Sequence, residues 1–200
     1  MRNYRILEEL GVKVVKHNCQ RNKTIVFDAD KYELCDKTMT TNKEKVKLLA
    51  SWFKDFHSKE ITSPIKRQLG NTQDFFTLHN IKKIIKQFNF QNNKSINLIL
   101  NNYKTIVARL NSLPLVLSLN TISMCNFTCD TKNNEHVLFQ CNELSLNYAY
   151  HDIKNVLDLL NKPNRKVFMD EYGSIDDDEI IIDDIISPLS DLYYSPNEKY

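Results

Sequence analysis

The chain has 200 residues, of which 42% are hydrophobic and 26% are charged, and its formal net charge is +2. This length suits one domain with a tail, or two small units, and no run approaches the roughly 18 apolar residues that a membrane-spanning helix needs. Only three glycines are present, so the glycine-rich loops that cradle phosphate in P-loop and dinucleotide-binding proteins are excluded.

The first elements in chain order are short strands and one well-marked helix. Residues 12–16 and 24–27 are β-branched and flank a polar turn, which predicts a β-hairpin, and residues 32–35 are a candidate third strand. Thr41-Asn42-Lys43-Glu44 has the pattern of a capping box with Thr41 as the cap. Apolar residues then recur at helical spacing from Val46 to Phe56, which predicts a helix ending near Ser58.

Two more amphipathic helices are predicted in the middle of the chain. The first covers Leu78 to Phe88, with Thr72 or Thr77 as its cap, and the second runs from Ser95 towards Pro114. The apolar period then changes to two, so residues 115–124 and 136–146 are predicted to pair as strands around a turn at 130–134. A fourth helix is predicted at about residues 151–160.

These elements together indicate an α+β fold. We expect the central amphipathic helices to pack with one antiparallel sheet built from the two hairpins. Residues 169–200 contain ten acidic residues and one basic residue, for a charge of −9, so residues 1–168 carry +11. Acidic blocks interleaved with aliphatic residues are typical of disordered segments. We therefore expect a basic globular domain at 1–168 and an acidic, largely disordered tail at 169–200.

The basic charge is concentrated between Thr62 and Cys129, where Asp74 is the only acidic residue. A phosphate backbone is bound by cations spaced along one surface. The candidate nucleic-acid-binding residues are Lys66, Arg67, Lys82, Lys83, Lys86, Lys94 and Lys104. The alternative interpretation is a solvated helix surface, which is what most lysine runs are.

A second candidate site is a zinc centre on the second hairpin. Cys125, Cys129, His136 and Cys141 supply four soft ligands within seventeen residues, and two strands meeting at a turn can bring such ligands together. The alternative is that the cysteines are small buried hydrophobic residues. Zinc is the only cofactor that the pattern suggests.

The sequence contains no local pattern of an activated nucleophile, so it predicts a protein that is not an enzyme. Five cysteines without an amino-terminal apolar run predict an intracellular protein, nuclear or cytoplasmic. The leading hypothesis is a small, possibly viral, regulatory protein that binds nucleic acid, with a tail that recruits or restrains partners. The alternative is a non-catalytic protein-interaction module. No membrane partner is expected.

Overall fold

The computed structural model describes residues 2–15, 17–19, 25–27, 32–35, 38–130, 132–133, 135–141 and 143–194. Helices account for most of these residues. In chain order they are α1 (Arg2–Glu9), α2 (Thr38–Thr41), α3 (Lys43–His57), α4 (Ser63–Gln68), α5 (Leu78–Phe88), α6 (Lys94–Asn101), α7 (Tyr103–Ser112), α8 (Ala149–Leu159), α9 (Lys162–Tyr172) and α10 (Asp177–Tyr194). None of these described helices is both long enough and apolar enough to cross a bilayer.

The strands are short and form three small antiparallel sheets in the described part of the chain. They are β1 (His17–Cys19), β2 (Ile25–Phe27), β3 (Tyr32–Leu34), β4 (Val116–Ser118), β5 (Phe127–Asp130), β6 (Glu135–Leu138) and β7 (Ser145–Asn147). β1 pairs with β2, β5 lies between β3 and β6, and β4 pairs with β7. The predicted single sheet of two hairpins is therefore wrong, because the β1–β2 hairpin, the β3–β5–β6 sheet and the β4–β7 pair are separate from one another.

Several predicted helices are confirmed with small changes at their ends. Helix α3 begins one residue later than the capping-box pattern indicates, since the side chain of Asn42, rather than Thr41, accepts from the amides of Glu44 and Lys45. Helix α5 has the predicted bounds, and Thr77 caps it. The long helix predicted after Ser95 is two helices, α6 and α7, which meet at Asn102.

The predicted disordered tail is wrong for residues 177–194, which form α10. Ile182, Ile186 and Leu189 are buried on one face of this helix. Glu179 and Asp183 lie on the same face and are also buried, so the acidic run has an apolar stripe of helical period within it. The division of the chain into two units at residue 168 stays a prediction.

The buried apolar residues form two clusters. One lies around α3, β5, β6, α8 and α9, and the other lies around α5, α7 and α10. Leu117 and Leu146 of the β4–β7 pair belong to the first cluster, whereas Tyr148, directly after β7, belongs to the second. The β4–β7 pair thus lies at the junction of the two clusters, and the polar residues described next project from that junction.

Candidate functional site

The loop that follows β4 is anchored by a buried carboxylate. Asp152, in the first turn of α8, is fully buried. Its Oδ1 accepts from Ser118 Oγ at 2.7 Å, and its Oδ2 accepts from the amide of Leu119 at 3.0 Å. His57 Nε2 lies 3.4 Å from the same Oδ2. Because a buried carboxylate needs such partners, these contacts fix where the chain leaves β4.

Asn120, the next residue of this loop, has a left-handed backbone with φ of 56°. Asparagine tolerates this region better than most residues, and such conformations cluster at functional sites. Its side-chain Oδ1 accepts from Ser145 Oγ at 3.0 Å and lies 3.2 Å from Ser118 Oγ, whose hydroxyl proton is donated to Asp152. The amide group of Asn120 is therefore held in one place between β4 and β7.

The smaller of two adjoining cavities has a volume of about 240 Å³ and is bounded by this loop and the segment after β6. Its polar lining consists of hydroxyl and amide groups and one carboxylate. These are the side chains of Thr121, Ser123, Asn126, Gln140 and Glu143. Thr121 Oγ1 donates to Glu143 Oε2 at 3.3 Å across the cavity.

Asn126 ties the two walls of the smaller cavity together. Its Oδ1 accepts from the amide of Ser123 at 2.6 Å and from Ser123 Oγ at 3.1 Å. Its Nδ2 donates to the carbonyl of Gln140 at 3.0 Å. Its backbone carbonyl also accepts from the amides of Phe139 and Gln140. The side chain of Asn126 is thus fully engaged in holding the walls.

The larger cavity, of about 740 Å³, shares Thr121 and Glu143 with the smaller one. It extends between the short 3₁₀ helix at Thr72–Phe75, the start of α8 and the second half of α10. Three carboxylates and three aromatic rings line it, those of Glu143, Asp158, Asp191, Phe75, Tyr148 and Tyr194. Asn120 also lies in its wall.

A buried ionic cluster underlies the larger cavity. Asp183 of α10 is fully buried, and its oxygens lie 2.7 Å from Tyr148 Oη, Lys154 Nζ and Ser187 Oγ and 3.6 Å from His151 Nδ1. Burial alone would raise the pKa of Asp183, but these hydrogen bonds hold it well below its usual range. Burial and the neighbouring charge of Asp183 raise the pKa of Tyr148, so its hydroxyl stays protonated.

The charges at the larger cavity do not cancel. Lys154 neutralises Asp183, and Arg165 lies 3.7 Å from Asp158. Glu143 and Asp191 make no ion pair within the described residues, and both are exposed. Of the three aromatic side chains, Tyr194 is 60% exposed and Phe75 and Tyr148 are buried, so a small organic cation would meet Tyr194 together with these carboxylates. The cavity therefore has the character of a cation-binding site.

The predicted zinc ligands do not come together. Cys129 and His136 are cross-strand partners in β5 and β6, but Cys125 is exposed. The Cys141 thiol contacts the carbonyl of Glu143, and burial raises its pKa to about 12. His136 Nε2 is 3.0 Å from the carbonyl of Lys45. In the described part of the chain no three His, Cys, Asp or Glu residues are grouped to hold a metal, so zinc is not supported.

The predicted nucleic-acid-binding residues are exposed but spread over four helices. Lys66 and Arg67 lie on α4, Lys94 and Lys104 begin α6 and α7, and the other three lie on α5, namely Lys82, Lys83 and Lys86. The acidic helix α10 packs against α5 and α7. Arg109 pairs with Asp178 at 3.3 Å, and Lys83 Nζ lies 5.8 Å from the ring centre of Tyr193.

The residues of this site were missed because they are polar and scattered through the sequence. One signal was available: Asp152 stands beside Ile153 and four residues before Val156, on the buried face of α8. A carboxylate on the apolar stripe of a helix must have buried partners. Glu179 and Asp183 give the same signal on α10.

Comparisons with known proteins place this geometry in a known fold. No protein-family model matches the chain, and no curated protein matches it. Solved structures do. The choline kinase LicA of Streptococcus pneumoniae is 18% identical with a TM-score of 0.60, over 100% of this chain and 73% of that one. AMP-bound spectinomycin phosphotransferase is 14% identical with a TM-score of 0.61, over 96% and 72%. A choline/ethanolamine kinase family protein of Mesorhizobium loti is 13% identical with a TM-score of 0.59, over 98% and 71%.

These similarities overturn the functional hypotheses drawn from the sequence. The predictions of a nucleic-acid-binding, possibly viral, regulator, of a non-catalytic interaction module and of a protein that is not an enzyme are wrong, because the structural neighbours are kinases and phosphotransferases of small molecules. The predicted nucleic-acid partner is wrong for the same reason, since those neighbours are seen with AMP, ADP and spectinomycin. At identities below 25% the likeness shows architecture: the chain has the fold shared by choline and ethanolamine kinases and aminoglycoside phosphotransferases.

Proposed function

We propose that this chain binds a small alcohol carrying a positively charged nitrogen and takes part in phosphoryl transfer to its hydroxyl group. The observation that carries the proposal is the larger cavity, where uncompensated carboxylates of Glu143 and Asp191 lie with the aromatic residues Phe75 and Tyr194. A cavity of about 740 Å³ is of the size that holds small-molecule ligands.

The structural neighbours support this class of substrate. Their names refer to choline, ethanolamine, spectinomycin and aminoglycosides. Each of these compounds carries amino or ammonium groups together with hydroxyl groups. A negatively charged, partly aromatic cavity attracts such compounds through ion pairing and cation–π contact. We assign the ammonium group to the Asp191 side of the cavity and the hydroxyl to the Glu143 side.

The junction of the two cavities is the place for the chemical step. The hydroxyl oxygen of the alcohol attacks the terminal phosphorus of a nucleoside triphosphate, and the bond from that phosphorus to the bridging oxygen breaks, releasing the diphosphate. The hydroxyl proton passes to a carboxylate. Glu143 is the candidate acceptor because it lines both cavities, and Thr121 Oγ1 orients it. Positioning of the two reactants supplies most of the catalysis in such reactions.

Magnesium is implied by this fold, since protein kinases hold it with an aspartate and an asparagine and use a further aspartate at the hydroxyl. Within the part of the chain that the structure describes, the smaller cavity instead offers the amides of Asn126 and Gln140, with Asn120 beside it, and one carboxylate, that of Glu143. Asn126 Oδ1 already accepts two hydrogen bonds. These donors do not fit a magnesium ion held by the protein, so no step is assigned to one.

The test is a transfer assay with the purified full chain, ATP and each of choline, ethanolamine and spectinomycin, followed by phosphorus NMR. We expect a new phosphomonoester signal with at least one acceptor. Changing Glu143 to Gln keeps the shape of the side chain and removes its basicity, so it should lower kcat about 100-fold or more. Changing Glu135 to Gln, at the half-buried start of β6, where its side chain pairs with Lys13 outside both cavities, is the matched control and should leave kcat unchanged.

Two results would count against the proposal. The first is an absence of phosphomonoester with all three acceptors when circular dichroism shows a folded chain. The second is an equal loss of phosphoryl transfer in the Glu143 and Glu135 variants, which would indicate that the loss of one negative charge anywhere on the chain lowers the rate.

A further inference from the structure

We infer that the smaller cavity receives a phosphate group without a divalent cation held by the protein. The identity of the ligand as a phosphate rests on the proposed function, whereas the statement about the cation rests on the cavity itself. Magnesium is usually held in phosphoryl-transfer sites by one or two carboxylates together with phosphate oxygens and water. Whether the protein can hold a magnesium ion here depends on which oxygen atoms line the cavity.

The amide oxygens at the cavity are already occupied. Asn126 Oδ1 accepts from both the amide and the hydroxyl of Ser123, and its Nδ2 is bound to the carbonyl of Gln140. A cation could use Asn126 only by breaking these contacts, which join the loop after β4 to the segment after β6. Asn120 Oδ1 likewise accepts from the hydroxyl of Ser145.

The charge at the cavity is too small for a tightly bound divalent cation. Among the described residues, Glu143 is the only carboxylate that lines the cavity, and it is exposed and accepts from Thr121. The Cys141 thiol at the cavity is neutral near pH 7, because burial raises its pKa to about 12. One exposed carboxylate leaves a hydrated magnesium ion largely to its own water.

The same residues supply neutral hydrogen-bond donors for a phosphate. The exposed Gln140 brings an amide NH₂ group. The hydroxyl groups of Thr121 and Ser123 donate to Glu143 and Asn126 in the structure and must turn to donate to a phosphate, while the amide of Ser123 still occupies Asn126 Oδ1. Hydroxyl and amide donors are common phosphate contacts in proteins. Their stabilisation of charge in the transition state is weaker than that of a metal ion, so we expect transfer to be slow and to continue in the presence of EDTA.

The experiment measures Mn²⁺ binding by electron paramagnetic resonance, in which bound Mn²⁺ loses its six-line signal. We expect no saturable loss of signal with the unchanged chain up to about 1 mM Mn²⁺. Changing Gln140 to Asp places a second carboxylate beside Glu143, so this variant should show saturable binding of one Mn²⁺ per chain. Changing Gln91 to Asp adds the same charge in the turn after α5, outside both cavities, and should show no binding.

A parallel titration with ADP separates this inference from the proposed function. We expect the affinity for ADP to differ by less than about threefold between buffers with Mg²⁺ and with EDTA. Saturable binding of Mn²⁺ by the unchanged chain, abolished by Glu143→Gln, would overturn the inference and leave the proposed function standing. If Mn²⁺ does not bind but no acceptor is phosphorylated, the inference stands and the proposed function fails.

Discussion

Replacing Asp152 with Ala should destabilise the chain strongly and loosen the loop after β4. The change removes the acceptor of two buried donors, Ser118 Oγ and the amide of Leu119, and the neighbour of the buried His57 ring. An unsatisfied buried donor costs about 1–3 kcal/mol. With the small cavity that the change leaves, we expect a loss of about 3–5 kcal/mol in the free energy of unfolding.

The loss can be measured by urea denaturation followed by circular dichroism. For a chain of this size it corresponds to a fall in Tm of about 6–20 °C. Asp152→Asn keeps an acceptor oxygen for the amide of Leu119 and turns its NH₂ group towards Ser118 Oγ, which must then accept instead of donate, so about 1–2 kcal/mol should be lost. Asp158→Ala, on the exposed side of the same helix, removes only a solvent-exposed ion pair with Arg165 and should cost about 1 kcal/mol or less.

A loss below about 1 kcal/mol for Asp152→Ala would refute the reasoning. It would mean that the two donors find other partners or water, and that the loop carrying Asn120 is not held by α8. A loss of the same size in Asp158→Ala would indicate a general sensitivity of α8 instead.

Three further predictions concern buried titratable groups. The hydrogen bonds to Asp183 lower its pKa and so stabilise the folded chain at any pH above the pKa of an unfolded Asp, about 3.9. This stabilisation is lost as the pH falls towards the folded pKa. Asp183→Asn should therefore flatten the decline in Tm below about pH 4. Glu179 has the opposite sign, because burial raises its pKa, so its ionisation above the folded pKa opposes folding; Glu179→Gln should be at least as stable as the unchanged chain at pH 7 in thermal unfolding. Cys141 should resist iodoacetamide at pH 8 while the exposed Cys125 reacts, as peptide mass spectrometry can show, and should react only after unfolding in urea. A steeper acid decline for Asp183→Asn, a lower Tm at pH 7 for Glu179→Gln, or modification of Cys141 in the folded chain would each contradict the packing described above.

Helices with a clear apolar stripe were predictable from the sequence. α3, α5 and α8 each repeat apolar residues at three- and four-residue spacing, and that pattern reports burial directly. α10 was not predictable in the same way, because the acidic residues around Ile182 and Ile186 match the composition of a disordered segment. Its buried carboxylate Asp183 is acceptable because Tyr148 Oη and Lys154 Nζ, both outside α10, each lie 2.7 Å away, and such partners are set by tertiary structure.

The candidate site could not be predicted because its parts are joined by the fold. Asn120 follows β4, Gln140 and Glu143 lie between β6 and β7, and Asp152 belongs to α8, and each of them taken alone is an ordinary polar residue. The sheets were misjudged for a related reason. β4 and β7 pair across 26 intervening residues, in agreement with the predicted pairing of residues 115–124 with 136–146, but β5 and β6 form a separate hairpin between them that pairs with β3. The alternating pattern of residues 115–146 predicts strands but does not indicate which sheet each strand joins.

The most direct test of cation binding in the larger cavity is calorimetric titration of the chain with choline and with 3,3-dimethylbutanol. The second compound is the uncharged analogue of choline, in which carbon replaces the nitrogen. We expect choline to bind about tenfold more tightly or better, because only the ammonium group interacts with Asp191 and the aromatic rings. Asp191→Asn should narrow the difference between the two ligands. Equal affinities for the charged and uncharged compounds, or no binding of choline, would contradict the account.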